Sequence, residues 1–254
     1  MGKTALITGA SSGIGEAVAR KLAAAGYNLV ITARRSGRLQ KLSDELEEKY
    51  GIKVHALGFD IRERIQTESA IEALPAHFRA IDVLINNAGL ASGLEPIDEG
   101  DPLDWDKMID TNVKGLLYIT RVVSRMMIER RQGGLIVNIG SVAGSQTYAD
   151  GAVYCASKHA VHALSEGMRI DLLKHGIKVS EVRPGMVETE FSVVRFHGDR
   201  QRADKVYEGV KPLSAEDIAD VIGWIVSLPP HVNVNDILVM PTQQADAHYT
   251  DRKP

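Results

Sequence analysis

Thr4-Ala5-Leu6-Ile7-Thr8-Gly9-Ala10-Ser11-Ser12-Gly13-Ile14-Gly15 is the stretch that decides the fold. Ala5 to Ile7 reads as a buried strand, and Ala17, Val18, Leu22 and Ala23 beyond the glycines recur at helical spacing. Strand, glycine-rich turn and helix in that order aim backbone N–H groups and a helix N-terminus at one point. That arrangement suits a pyrophosphate, and the glycines let the backbone approach it. Gly9, Gly13 and Gly15 are spaced G-x-x-x-G-x-G rather than G-x-G-x-x-G. Three glycines can serve turn geometry alone, but the strand and helix around them favour the phosphate reading.

Outward from this unit the same alternation continues. Further strands are expected at Asn28 to Thr32, Ile52 to Leu57, Ile81 to Ile85, Leu135 to Ile139, Ile177 to Val182 and Asp236 to Met240. Between them lie a polar helix from Arg38 to Tyr50, a long amphipathic helix from Pro102 to about Arg130, and another from Ala152 to Lys174. Ser214-Ala215-Glu216-Asp217 opens a last helix as a capping sequence. Strand and helix in alternation mean an α/β chain, read as one domain over residues 1–254. Residues 190–211 are more polar and only weakly periodic, and form an insertion of the kind that carries substrate loops. The tail, 241–254, is polar and expected to be disordered or packed against another subunit.

Composition narrows the function. A net charge of −3 with interspersed signs leaves no footprint for nucleic acid. The one cysteine, Cys155, allows neither an internal disulfide nor a multi-cysteine zinc site. No apolar run reaches membrane-spanning length, and the N-terminus lacks the features of a secretory signal. The expectation is a cytoplasmic protein that needs no metal.

The chemistry gathers at strand ends. Just past the second strand stand Arg34 and Arg35, where an acidic residue would bind a ribose 2′-hydroxyl. Guanidinium groups there suit a 2′-phosphate instead, so NADP is favoured over NAD. One of the two can equally be the basic start of the helix that follows. Asp60, with Ile61 after it, can accept from an adenine amino group or cap the next helix. Asn86-Asn87-Ala88-Gly89 ends the fourth strand, where amides can tie loops together and line a crevice. Asn112 lies inside an apolar helical stripe and must bond a carbonyl or hold a water. Ser141 closes the fifth strand and can donate to a substrate carbonyl or cap a turn; it lacks the elbow of a nucleophile. Tyr154 and Lys158, at i and i+4, share a helix face, so the ammonium can favour the deprotonated phenol. Arg195 in the insertion can clamp a substrate carboxylate.

T-G-x-x-x-G-I-G, N-N-A-G, Asn112, Ser141, Y-x-x-x-K and Pro184-Gly185 stand in one order and spacing over almost the whole chain. In this the sequence resembles the short-chain dehydrogenase/reductase family. The resemblance implies a Rossmann fold, doubly wound around a parallel seven-stranded sheet of order 3-2-1-4-5-6-7 with helices on both faces. It also implies catalysis by Asn112, Ser141, Tyr154 and Lys158: the tyrosine exchanges the hydroxyl proton, the serine polarises the carbonyl, the lysine lowers the tyrosine pKa and holds the nicotinamide ribose, and the asparagine places a proton-relay water. NADP(H) would lie along Gly9, Ser11, Ser12, Gly13, Ile14, Gly15, Asn87, Ala88 and Gly89, with Asp60 and Ile61 near adenine. Pro184, Gly185, Val187 and Thr189 would flank the carboxamide. Thr189 to Asp199 and His231 to Gln243 further resemble the NADP-dependent 3-hydroxy acid dehydrogenases, which act on serine, allo-threonine and malonic semialdehyde and form homotetramers. Two other readings stand beside this one: a broad carbonyl or 3-oxoacyl thioester reductase in which Arg195 meets no carboxylate, and a cofactor-sensing protein without turnover, from which the four proton-transfer residues argue.

Overall fold

A computed structural model describes residues 2–253; the outermost positions of the 1–254 span lie outside the described residues. The elements run β1 (Thr4–Thr8), α1 (Gly13–Ala24), β2 (Asn28–Ala33), α2 (Ser36–Tyr50), β3 (Val54–Gly58), α3 (Arg64–Glu72) and β4 (Ile81–Asn86). Then come α4 (Pro102–Ile109), α5 (Leu116–Arg130), β5 (Gly134–Ile139), α6 (Ala152–Leu172), β6 (Ile177–Pro184), α7 (Phe191–Arg195), α8 (Arg200–Lys205), α9 (Ala215–Ser227) and β7 (Asp236–Val239). The strands form one seven-stranded sheet of order β3-β2-β1-β4-β5-β6-β7, parallel throughout.

Alternation along β1 shows how the two faces are covered. Ile7 packs with Val18, Leu22, Leu39 and Ile222, the side of α1, α2 and α9. Its neighbour Leu6 packs with Leu84, Ile119, Val123 and Ile136 on the other side, where α5 lies. Both β1 residues are fully buried, which is why central strands here read as continuous apolar runs. β1 pairs with β2 on one edge and β4 on the other, so the chain reverses direction across the sheet at β1. A crevice opens at the carboxyl ends of the strands at such a reversal.

Three regions differ from the sequence expectation. The helix expected over 102–130 is α4 and α5 joined by a π-helical turn, Asp110–Gly115. Asn112 sits in that turn, and its amide bonds both backbone groups of Leu90. The insertion 190–211 contains two short helices, turned at His197 and Gly198, both at positive φ. The tail is not disordered. Gln243 accepts from Lys211 N (2.8 Å) and donates to Gly209 O (3.0 Å), Gln244 accepts from Met186 N (2.8 Å), and Ala247 N donates to Gln146 (2.8 Å). Polarity there reflects service to backbone groups of the same chain. Among the described residues no helix is long and apolar enough to cross a membrane.

Candidate active site

At the strand ends lies a cleft of about 340 Å³. Its floor is the turn between β1 and α1. Gly9 has φ 69°, and a Cβ there would stand 2.9 Å from the Ala88 Cα. At Gly15 a Cβ would collide with the Asn87 amide and lie 2.5 Å from the Gly9 carbonyl oxygen. These glycines therefore seat α1 against the β4 loop, and Asn87 Nδ2 closes the joint by donating to Thr8 O (2.9 Å) and Gly9 O (3.2 Å). Ser12 caps α1 without a side-chain bond to the first turn. The N–H groups of that turn are left to point at a ligand, as an anion site requires.

The outer end of the cleft is cationic. Arg34 and Arg35 line it and are exposed. Arg35 donates to Ser11 Oγ (3.1 Å), Ser12 Oγ (2.6 Å) and Glu190 (2.7 Å), and Arg38 also meets Glu190 (2.7 Å). Bonds from Arg35 first and Arg38 second hold the Glu190 carboxyl down at about 2. Asp60 lines the same end but does not cap α3, whose cap position is Glu63. Its carboxylate accepts from Arg62 N (3.1 Å) and pairs with the Arg62 guanidinium (2.7 Å). Burial pushes Asp60 up, but the Arg62 bonds outweigh it and leave it below the usual carboxylate range.

The inner end is buried. Ser141, Tyr154 and Lys158 reach it from β5 and α6. Ser141 caps a short 3₁₀ turn, accepting from Ala143 N (3.1 Å), which leaves its hydroxyl proton free to donate. Lys158 Nζ donates to Ile139 O (2.8 Å) and lies 6.0 Å from the Tyr154 ring centre. Burial lowers this ammonium to about 8. Burial also raises the Tyr154 phenol above its ordinary value; Tyr148 adds to the rise, while Arg195 and the Ser141 hydroxyl oppose it. Lys158 is not among the groups that move the phenol here, its ammonium being turned to the Ile139 carbonyl. A phenol held protonated is a proton donor.

Of the residues expected at the site, Ser11, Ser12, Gly13, Ile14, Ile61, Ala88, Gly89, Pro184, Gly185, Val187 and Thr189 also line the cleft. Gly15, Asn112 and Arg195 do not. Asn112 lies beneath it, donating to Ser157 Oγ (3.0 Å) as well as Leu90 O. Arg195 stands over the Tyr154 ring at 5.0 Å, beside Phe191 (5.5 Å), and donates to Tyr148 Oη at 2.5 Å. Its Nε is buried without a hydrogen-bond partner.

A model of the short chain dehydrogenase family matches residues 3–199. The chain belongs to that family. Its relatives within the short chain dehydrogenases cover nearly the whole length. Sulfoacetaldehyde reductase 2 of Chromohalobacter salexigens is 46% identical over 245 residues, 96% of each chain. The NADP-dependent 3-hydroxy acid dehydrogenase YdfG of Salmonella typhi is 47% identical over 95% of this chain and 96% of that one. A solved structure, the closed form of serine dehydrogenase complexed with NADP+, superposes with a TM-score of 0.92 at 42% identity, covering 99% of this chain and all of that one.

Among the residues of this dehydrogenase site that escape sequence reading, three stand out. Glu190 and Phe191 line the cleft, and Tyr148 bonds Arg195. Glu190 had a signal in its place directly after Thr189, as an acid to meet the basic residues Arg35 and Arg38. Tyr148 had none, since only the folded loop brings it over the helix.

Proposed function

We propose that the protein is an NADP-dependent oxidoreductase that moves a hydride between the nicotinamide and the hydroxyl-bearing carbon of a small 3-hydroxy acid. The observation that carries this reading is one cleft with a proton donor at its inner end and phosphate-seeking groups at its outer end. The fit to NADP(H) rests on the free first turn of α1 and on Arg34 and Arg35 at the cleft mouth. When bound, the nicotinamide supplies or accepts the hydride. In the reducing direction Tyr154 gives its phenolic proton to the carbonyl oxygen as that oxygen gains charge, and Ser141 donates a hydrogen bond to the same atom. Lys158 adds a positive charge beside them, and Asn112 holds the Leu90 loop in place. Arg195, fixed by Tyr148 and packed over the Tyr154 ring, is the residue to hold the acid group, and the orphaned Nε supports that role.

The relatives named for 3-hydroxy acid, serine and sulfoacetaldehyde activity all handle a small polar molecule with an anionic group, in keeping with an arginine at this place. One sheet spanning the chain supports a single domain, with 190–211 as the substrate segment and 241–254 closing on it. A cytoplasmic homotetramer belongs to the same proposal; exposed Trp224 and Leu238 supply apolar surface for assembly. The test is absorbance at the nicotinamide band with NADP+ and a panel of serine, 3-hydroxypropionate and neutral alcohols. Acids should be preferred, and Arg195→Ala should lower their kcat/KM by roughly 10-fold or more, as expected for a lost charged hydrogen bond. An unchanged kcat/KM for the acids removes the clamp.

A further inference from the structure

Behind the catalytic end, outside the cleft, lies a cluster of charges. Glu181 is in the middle of β6 and fully buried. A carboxylate in such a place is costly unless it is bonded and balanced. One oxygen, Oε2, accepts from His162 Nδ1 at 2.6 Å. The other, Oε1, has no hydrogen-bond partner and is buried. It presses against Gly140, where a Cβ would collide with it. Gly140 is the residue between Ile139, whose carbonyl holds the Lys158 ammonium, and Ser141. Lys158 and His162 are one turn apart on α6, so one helix face carries both the ammonium and the donor to Glu181.

The surrounding charges are few. On β6, Arg183 pairs with Asp236 of β7 at 2.5 Å and donates to Ser145 (3.0 Å). Asp236 lies 3.9 Å from His162, and Glu166 of α6 lies 4.0 Å from its other nitrogen. Arg183 thus bonds Asp236 rather than Glu181, and the free oxygen of Glu181 faces the Gly140 backbone, next to the Ile139 carbonyl that holds Lys158. The two close carboxylates beside an imidazole could suggest a cation site, but Arg183 already supplies the positive charge there.

We propose that Glu181, oriented by His162 and seated against Gly140, is a positioning residue of the reaction: it steadies the Ile139–Ser141 turn that Lys158 bonds and sets a carboxylate behind that ammonium. Glu181 is the one charged group that opposes the effect of burial on Lys158. Burial raises Glu181 itself, and the hydrogen bond from His162 is the first interaction to counter that. The proposal rests on Lys158 serving the proton-transfer site.

Glu181→Gln keeps size and can still bond His162 while removing the charge. In the full-length enzyme with NADPH and a carbonyl substrate, the alkaline fall of kcat should begin about one pH unit lower, as expected for removal of a nearby opposite charge. KM for the substrate should change less than kcat. Glu181→Asp should restore much of the profile. His162→Gln should move it the same way through a less ionised Glu181, and the double variant should move it no further than Glu181→Gln. A profile that superposes on that of the parent, with a uniform drop in kcat or only a lower Tm, overturns the proposal. If Glu181→Gln does not fold, an unmoved profile in His162→Gln overturns it alone. Lys158→Met separates the two levels: a Lys158→Met enzyme of full activity sinks the proton-transfer reading, whereas an inactive one beside an unmoved Glu181→Gln profile sinks only this inference.

Discussion

The two ends of the cleft hold their charges in opposite ways. At the outer end Arg35, Arg38 and Glu190 are half in water, and their partners are one another and the serines of the turn, with exposed Arg34 beside them. At the inner end Tyr154 and Lys158 are more than nine-tenths buried, and burial moves both of their proton affinities. Solvent softens every interaction at the first end, so it can recognise and release a phosphate at small cost. Desolvation dominates the second, so it can hold a phenol protonated beside an ammonium whose proton is only loosely kept. Binding and chemistry occupy one cleft because the sheet brings an exposed edge and a buried one to the same strand ends.

This contrast can be broken most severely at the inner end. Tyr154→Phe removes the donor and keeps the ring against Phe191, 5.7 Å away, so kcat should fall by roughly 10²–10⁴-fold while the fold is kept. Stopped or steady-state absorbance measures it, and parental turnover would end the assignment of the phenol. A smaller effect is expected at the outer end. Arg34→Ala and Arg35→Ala should each weaken NADPH by about 1.5–3 kcal/mol and leave NADH nearly unchanged, the value of a hydrogen bond between charged groups. Equal losses for both cofactors, read by fluorescence titration, would show that the arginines serve only the loop.

The smallest effect concerns Glu190. Its carboxyl is depressed from the usual range to about 2, so its ion pairs stabilise the fold above the ordinary carboxylate pKa and are lost as the pH falls from there toward 2. The group is 44% exposed, which limits its worth to less than about 1 kcal/mol. Glu190→Gln should therefore lower Tm slightly at neutral pH and bring no difference at pH 2. A difference of several degrees that persists in acid would mean that the two ends of the cleft do not differ in kind.

Much of this architecture was legible because it is periodic. All seven strands lie within two residues of where apolar runs place them, and the glycine turn names its own position. The proposed catalytic groups stand out by i, i+4 spacing and by their place at strand ends, and the family resemblance supplies their roles. What escaped depends on contacts between distant parts. The π turn at Asp110–Gly115 carries Asn112, which bonds Leu90 22 positions away, and periodicity has no sign of it. Tyr148 reaches Arg195 across 47 positions. The direction of the Tyr154 shift is set by how deeply the ring is buried, a quantity that i, i+4 spacing does not contain.

The amides of Gln243 and Gln244 also link two parts of the chain as heritable units. Gln243 supplies both hydrogen-bonding groups to the end of the 190–211 segment, 32 and 34 positions earlier. Gln244 accepts from Met186 N, just before that region, from 58 positions away. Transplanting residues 190–211 into another scaffold without residues 243 and 244 would carry over the loop and leave behind the clasp that shapes it. Recombination that aims to change specificity therefore has to move both pieces together.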